Sequence, residues 1–224
     1  LGASLSAGFN LDPDMGRPTS FGDFLTAAQK VPGSVHDAWH PEFFLDPVGR
    51  GTELRETALK AKPTLVIGID FLFWFAYGYM PDARRADSLE RGLGLLEAIE
   101  CPLVIADLPD MRRASDPTEV MIPFLAPRQI PSVETLATLN ARIEAWAKER
   151  KGVTVLPLSR FVRSIEEETP ITVRDETYES DDLIDLLQDD LLHPSPEGYA
   201  LLTQLLFETL IAEHDEITAE HVAW

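Results

Sequence analysis

Three short stretches of the chain are almost continuously apolar: TLVIGID (Thr64–Asp70), CPLVIADLPD (Cys101–Asp110) and GVTVLPL (Gly152–Leu158). A strand buried on one face alternates, whereas one buried on both faces reads as an unbroken apolar run, so each stretch predicts a strand inside a parallel sheet. Between them the period changes. Thr52–Lys62, Ala83–Glu100 and Val133–Lys151 carry helical spacing, with Leu136, Leu139, Ile143 and Trp146 on one stripe of the last. A final helix is expected in SPEGYALLTQLLFETLIAE, with Ser195 as its cap and Pro196 at the favoured first position. Strands alternating with helices predict an α/β fold, a parallel sheet with helices on both faces. No repeat, low-complexity segment or linker interrupts residues 1–224, so a single domain is expected.

In such sheets ligands gather beyond the carboxyl ends of the strands. Asp70 and Asp107 fall at two of those ends. The small-residue opening LGASLSAGF predicts a tight turn that lifts Ser4 onto the same rim. A strand should precede that turn, and only Leu1 and Gly2 are there to supply it, so most of a first strand is expected upstream of residue 1. Near the other end stands DDLLHPSPEGYALL, with Asp190 three residues before His193. A carboxylate so placed accepts a hydrogen bond from Nδ1 of the imidazole and fixes its tautomer, leaving Nε2 to take a proton from a hydroxyl. Each piece alone has a plainer reading, Ser4 as a turn residue and Asp190 as a local cap.

Charge narrows the partners. Against 19 Lys and Arg stand 38 Asp and Glu, a net charge of −19, which excludes nucleic acid and anionic membrane surfaces. Acid concentrates in Ile165–Asp190, read as a solvated loop and helix face or as a rim that disfavours anionic substrates. The single cysteine, Cys101, excludes an internal disulfide. The longest apolar run, TLVIGIDFLFWFAYGYM, is short for a bilayer span and carries Asp70. A soluble protein is expected, with cytoplasmic and exported locations both open, as is the oligomeric state. The stretch HDAWH, His36–His40, resembles the H-E-x-x-H zinc motif with Asp37 in the Glu position. That motif needs a helix, and Gly33 and Pro41 bracket this one, so a zinc hydrolase is a distant alternative. His214 and His221 are expected in a solvated terminal tail.

GASLSAGF resembles the first block of the SGNH (GDSL-type) hydrolase superfamily, G-D-S-L-S-x-G. DLLHPSPEGYALL resembles its last block, D-x-x-H-P-x-x-x-G-Y, and VIGIDFLFW falls where the third block, G-x-N-D, should lie. The resemblance implies a three-layer α/β/α sandwich with a mostly parallel, five-stranded, flavodoxin-like sheet. It implies a serine esterase acting on carboxylic esters through an acyl-enzyme, with a small-molecule or acylated substrate and neither cofactor nor metal. Ser4 would be the nucleophile, His193 the general base and Asp190 its orienting partner. The oxyanion hole would use the backbone N–H of Ser4, that of a second-block glycine, and a third-block side chain. Gly51 in VGRGTEL is the chosen glycine, with Gly49 close behind, and the third-block position falls on Asp70. Phe71, Phe73 and Trp74, in the cluster FLFWFAYGY, would line an acyl pocket beside the oxyanion region or pack as core or dimer contact.

Two positions depart from the family pattern. Ala3 replaces its Asp, which is expected to alter the turn's hydrogen bonding more than the chemistry. Asp70 replaces its Asn, and an ionised carboxylate repels the charge that an amide would stabilise; one lost donor costs about 2.7–4 kcal/mol. Either Asp70 is protonated in the site, or it points elsewhere, or fewer donors are used. A catalytically impaired SGNH-fold binding protein is therefore the alternative.

Overall fold

A computed structural model describes residues 1–30, 33–214 and 217–223. In chain order the helices are α1 (Ser4–Ala7), α2 (Asp12–Met15), α3 (Phe21–Ala27), α4 (Pro47–Lys60), α5 (Phe73–Ala76), α6 (Asp82–Leu96), α7 (Val133–Lys148), α8 (Leu158–Glu166), α9 (Ser180–Asp185) and α10 (Pro196–Glu213). The strands are β1 (Val66–Gly68), β2 (Leu103–Ala106), β3 (Val153–Leu156), β4 (Ile171–Val173) and β5 (Glu176–Tyr178). The fold is α/β. The three apolar runs form a parallel sheet in the order β1-β2-β3, with Val66 opposite Leu103 and Leu103 opposite Val153.

All four residues of β2 are buried, which is why its sequence does not alternate. Their side chains still point alternately to two cores. Leu103 and Ile105 join Leu89, Leu93 and Leu96 of α6 and Leu136, Leu139, Ile143 and Trp146 of α7. Val104 and Ala106 join Tyr199, Leu202, Leu206 and Leu210 of α10, with Phe21 and Leu25 of α3. Helices thus cover both faces. The predicted start of α10 is observed, with Ser195 accepting from the Gly198 N–H and Pro196 opening the helix.

The sheet has three strands rather than the expected five. Leu1 and Gly2 do run along its edge: the Leu1 nitrogen donates to the Ile67 carbonyl at 2.8 Å, and Gly2 bridges Trp39 in parallel. The Gly2 N–H donates to Ala38 O at 3.0 Å and the His40 N–H to Gly2 O at 3.1 Å. Two residues facing one bridged position are too few to count as strands in a ladder.

Three further expectations change. Helix α4 begins at Pro47 rather than Thr52, because Asp46 caps it by accepting from the Gly49 N–H and Pro47 fits its first turn. Within the acidic run, β4 and β5 form an antiparallel hairpin that turns at Arg174, whose φ is 55°. Ile171 and Val173 pack there against Ile165, Leu183 and Leu201, so acid covers a small core. The terminal segment is not a free tail. Lys30 N donates to His221 O, Ala223 N donates to Ala28 O, and Val222 is buried; His214 Nε2 lies 3.0 Å from Thr154 Oγ1. Among the described residues no helix is long and apolar enough to cross a membrane.

Candidate active site

Ser4 opens α1 immediately after the Leu1–Gly2 edge of the sheet. Gly8, at φ 72°, ends this one-turn helix, and a Cβ there would stand 1.8 Å from the Thr19 carbonyl, so only glycine fits. Across the site, residues 188–194 form a compact turn. The Gln188 N–H donates to His193 O, and the Gln188 side-chain amide donates to Pro194 O and to Phe9 O. The last of these ties the His193 loop to the Ser4 turn, as does the Tyr199 hydroxyl donating to Leu5 O at 2.7 Å.

These elements bring residues 189 positions apart into contact: His193 Nε2 lies 2.9 Å from Ser4 Oγ. His193 Nδ1 lies 2.7 Å from Asp190 Oδ2, while Asp190 Oδ1 accepts from the N–H groups of Leu192 and His193, each at 2.9 Å. Asp190 and His193 are buried and Ser4 is partly exposed. Burial works to raise the Asp190 pKa, but the hydrogen bonds and charge of His193, with the Leu192 N–H, outweigh it and hold the carboxyl below its ordinary value. An acceptor that stays ionised keeps Nδ1 protonated and presents Nε2 as a base toward Ser4.

Asp70 points into the Ser4 turn. Its Oδ2 accepts from the N–H groups of Ala3 and Ser6, each at 3.0 Å, and its Oδ1 accepts from the Ser6 hydroxyl at 2.6 Å. With both oxygens accepting, it anchors the turn and is not placed as an oxyanion donor. Gly2 belongs to this anchor, since a Cβ there would fall 1.7 Å from Asp70 Oδ1. Gly51 is a correction of a different kind. It lies inside α4, packed toward Leu95, Phe71 and Phe75, with its N–H in the helical ladder. Gly49 is engaged by Asp46. Of the expected oxyanion set, the Ser4 N–H remains: it lies in the first turn of α1, where a helix offers no carbonyl partner.

A pocket of about 60 Å³ opens over Ser4 and His193, lined also by Asp70, Asp107, Phe73 and Trp74. Phe71 is not in it. That ring is fully buried against Phe43 and Phe75, because the chain after β1 turns it into the core. Asp107 accepts from the N–H of Ser159 at 2.7 Å and from its hydroxyl; burial raises its pKa against these bonds. Two rings escaped the sequence reading. Phe9 stacks on the His193 imidazole at 4.4 Å, and Phe124 meets it edge-on at 6.4 Å. Phe9 directly follows the serine block GASLSAG, and that position was the signal that could have found it. Phe124 sits in a loop between β2 and α7 with no such signal, beside exposed Met121 and Ile122.

His36 and His40 are not on a helix: Trp39 between them is bridged in extended backbone to Gly2. Among the described residues no three His, Cys, Asp or Glu side chains form a cluster able to hold a metal ion. No protein-family model and no curated protein matches the chain.

Proposed function

We propose that the protein is a serine ester hydrolase of SGNH type. The observation that carries this reading is the relay Ser4 Oγ, His193 Nε2 and Nδ1, Asp190 Oδ2, with contacts of 2.9 and 2.7 Å. Ser4 attacks the ester carbonyl while His193 takes its proton; the alkoxide leaves with that proton, and water then attacks the acyl-enzyme with His193 again as base. The Ser4 N–H faces the developing oxyanion, and Asp70 holds the turn that aims it. The sheet supports the same reading. Counting the Gly2 and Trp39 segments as strands gives the order 39–2–β1–β2–β3, the strand order of a flavodoxin-like sheet, with its switch point at Ser4 and Asp70. The test is a panel of p-nitrophenyl esters with wild type, Ser4→Ala and His193→Ala. The reading expects turnover by wild type and a fall of about 10³-fold or more in kcat in each variant. Equal turnover by Ser4→Ala would overturn it, and no turnover by wild type would favour the impaired, ligand-binding alternative.

A further inference from the structure

The nucleophile pocket shares a wall with a second cavity of about 90 Å³. Leu5, Pro109, Met111, Leu158 and Leu192 line both, and two of them flank Ser4 and His193 in sequence. Beyond that wall the cavity runs between α8, the β4–β5 hairpin and α10, lined by Phe161, Val162, Ile171, Val173, Leu201 and Leu205. Every residue around it is Leu, Ile, Val, Phe, Met, Pro or Gly, so no lining side chain offers a hydrogen-bonding nitrogen or oxygen. Such a space holds water poorly and favours an apolar occupant. We propose that it is the acyl-chain site, and that the substrate is an ester of a short, unsubstituted aliphatic acid. This inference rests on the serine-hydrolase reading.

The order of bond breaking assigns the cavity to the acyl rather than the alcohol side. The alcohol takes its proton from His193 and must diffuse away before water enters, which an apolar cavity set behind a wall of side chains opposes. The acyl group stays bonded to Ser4 Oγ through that interval, and its chain can remain enclosed. Met111, unbranched and adaptable, is the side chain in the shared wall best able to yield to it. A sugar, hydroxy or charged acid would lose its hydration there with no partner. Size sets the length. An apolar cavity of about 150 Å³ takes the six carbons of benzene, which scales to about four carbons here beyond the nucleophile pocket.

The test uses p-nitrophenyl esters from acetate to dodecanoate with wild type, Val173→Phe, which fills the cavity, and Phe161→Ala, which enlarges it. In wild type, kcat/KM should rise about fourfold per methylene, the burial gain of one CH₂, up to butyrate–hexanoate and then fall. The maximum should move toward acetate in Val173→Phe and toward longer chains in Phe161→Ala. A maximum that stays in place in both folded variants overturns the inference. A measurement independent of variant folding is the crystal structure of wild type inactivated with hexyl fluorophosphonate, in which Ser4 Oγ displaces fluoride from phosphorus. An alkyl chain lying between α8, the hairpin and α10 supports the assignment. A modified Ser4 with the chain along Phe73 and Trp74 overturns this inference alone, whereas an unmodified Ser4 overturns the hydrolase reading with it.

Discussion

Asp70 accepts two backbone N–H groups on one oxygen and a hydroxyl on the other, and that arrangement dictates what its substitution does. In Asp70→Asn the amide oxygen can still take the Ala3 and Ser6 N–H groups while its NH₂ donates to Ser6 Oγ. The loss should be about 1 kcal/mol in a denaturant titration, with the alkaline side of the pH–rate profile unmoved. Asp70→Ala strands three buried donors and should lose about 3 kcal/mol or more. If Asp70→Asn instead extends activity to higher pH, Asp70 is an oxyanion donor after all. Asp190 makes a different prediction, because its carboxyl is held below the ordinary value of 3.8. A depressed folded-state pKa contributes stability above that range, lost as pH falls through the folded value. The stability difference between wild type and Asp190→Asn should therefore narrow as pH drops below 3.8. A gap constant with pH would deny the carboxylate its role in holding His193. Asp190→Asn should also lower kcat by about 10⁴-fold, since an amide can hold the wrong tautomer.

Arg85 shows how elements behind the site are locked. It is 1 % exposed, pairs through Nε with Asp82 at 2.8 Å, and donates to the carbonyls of Ala76, Met80 and Gln129. It thus joins α6 to the end of α5 and to the loop that carries Phe124. Arg85→Ala should cost about 3–5 kcal/mol, the range for breaking a buried, bonded charge, with Arg85→Lys intermediate because an ammonium lacks the planar fork. Equal stability of the alanine variant in chemical denaturation would contradict the clamp. The elements most legible in the sequence were the apolar runs β1, β2 and β3, of which β2 is buried throughout, the stripe of α7 and the capped start of α10. The Ser4, His193 and Asp190 contacts were legible because Ser4 and the Asp190–His193 pair sit in turns with their own local chemistry. Gly51 was misplaced because its motif is two glycines alone, while the stronger signal was Asp46–Pro47, a cap followed by a helix-opening proline. The hairpin was missed because three-residue strands leave too little alternation to read against an acidic background. Asp70 was found at the right place, but its direction follows from Gly2, Ala3 and Ser6, contacts of tertiary structure.

At the scale of the molecule, the chain brings its first turn and the entry to its last helix together over one sheet end. Tyr199 OH to Leu5 O and Gln188 Nε2 to Phe9 O fasten the two, so the site exists only while the whole fold does. Against the chain's net charge of −19, and the hydrogen-bonded carboxylates Asp70 and Asp107 in the pocket itself, stand the lining rings Phe73 and Trp74, with Phe9 and Phe124 against the His193 imidazole. That contrast fits an apolar, uncharged ester better than an anionic one. An activated serine in a folded relay is the central claim. The most direct measurement is mass spectrometry of the native protein after a fluorophosphonate, with and without prior unfolding. One adduct per chain on Ser4, lost on unfolding and in His193→Ala, is the predicted result. An adduct on Ser6 or Ser195, or none on the folded protein, would contradict it.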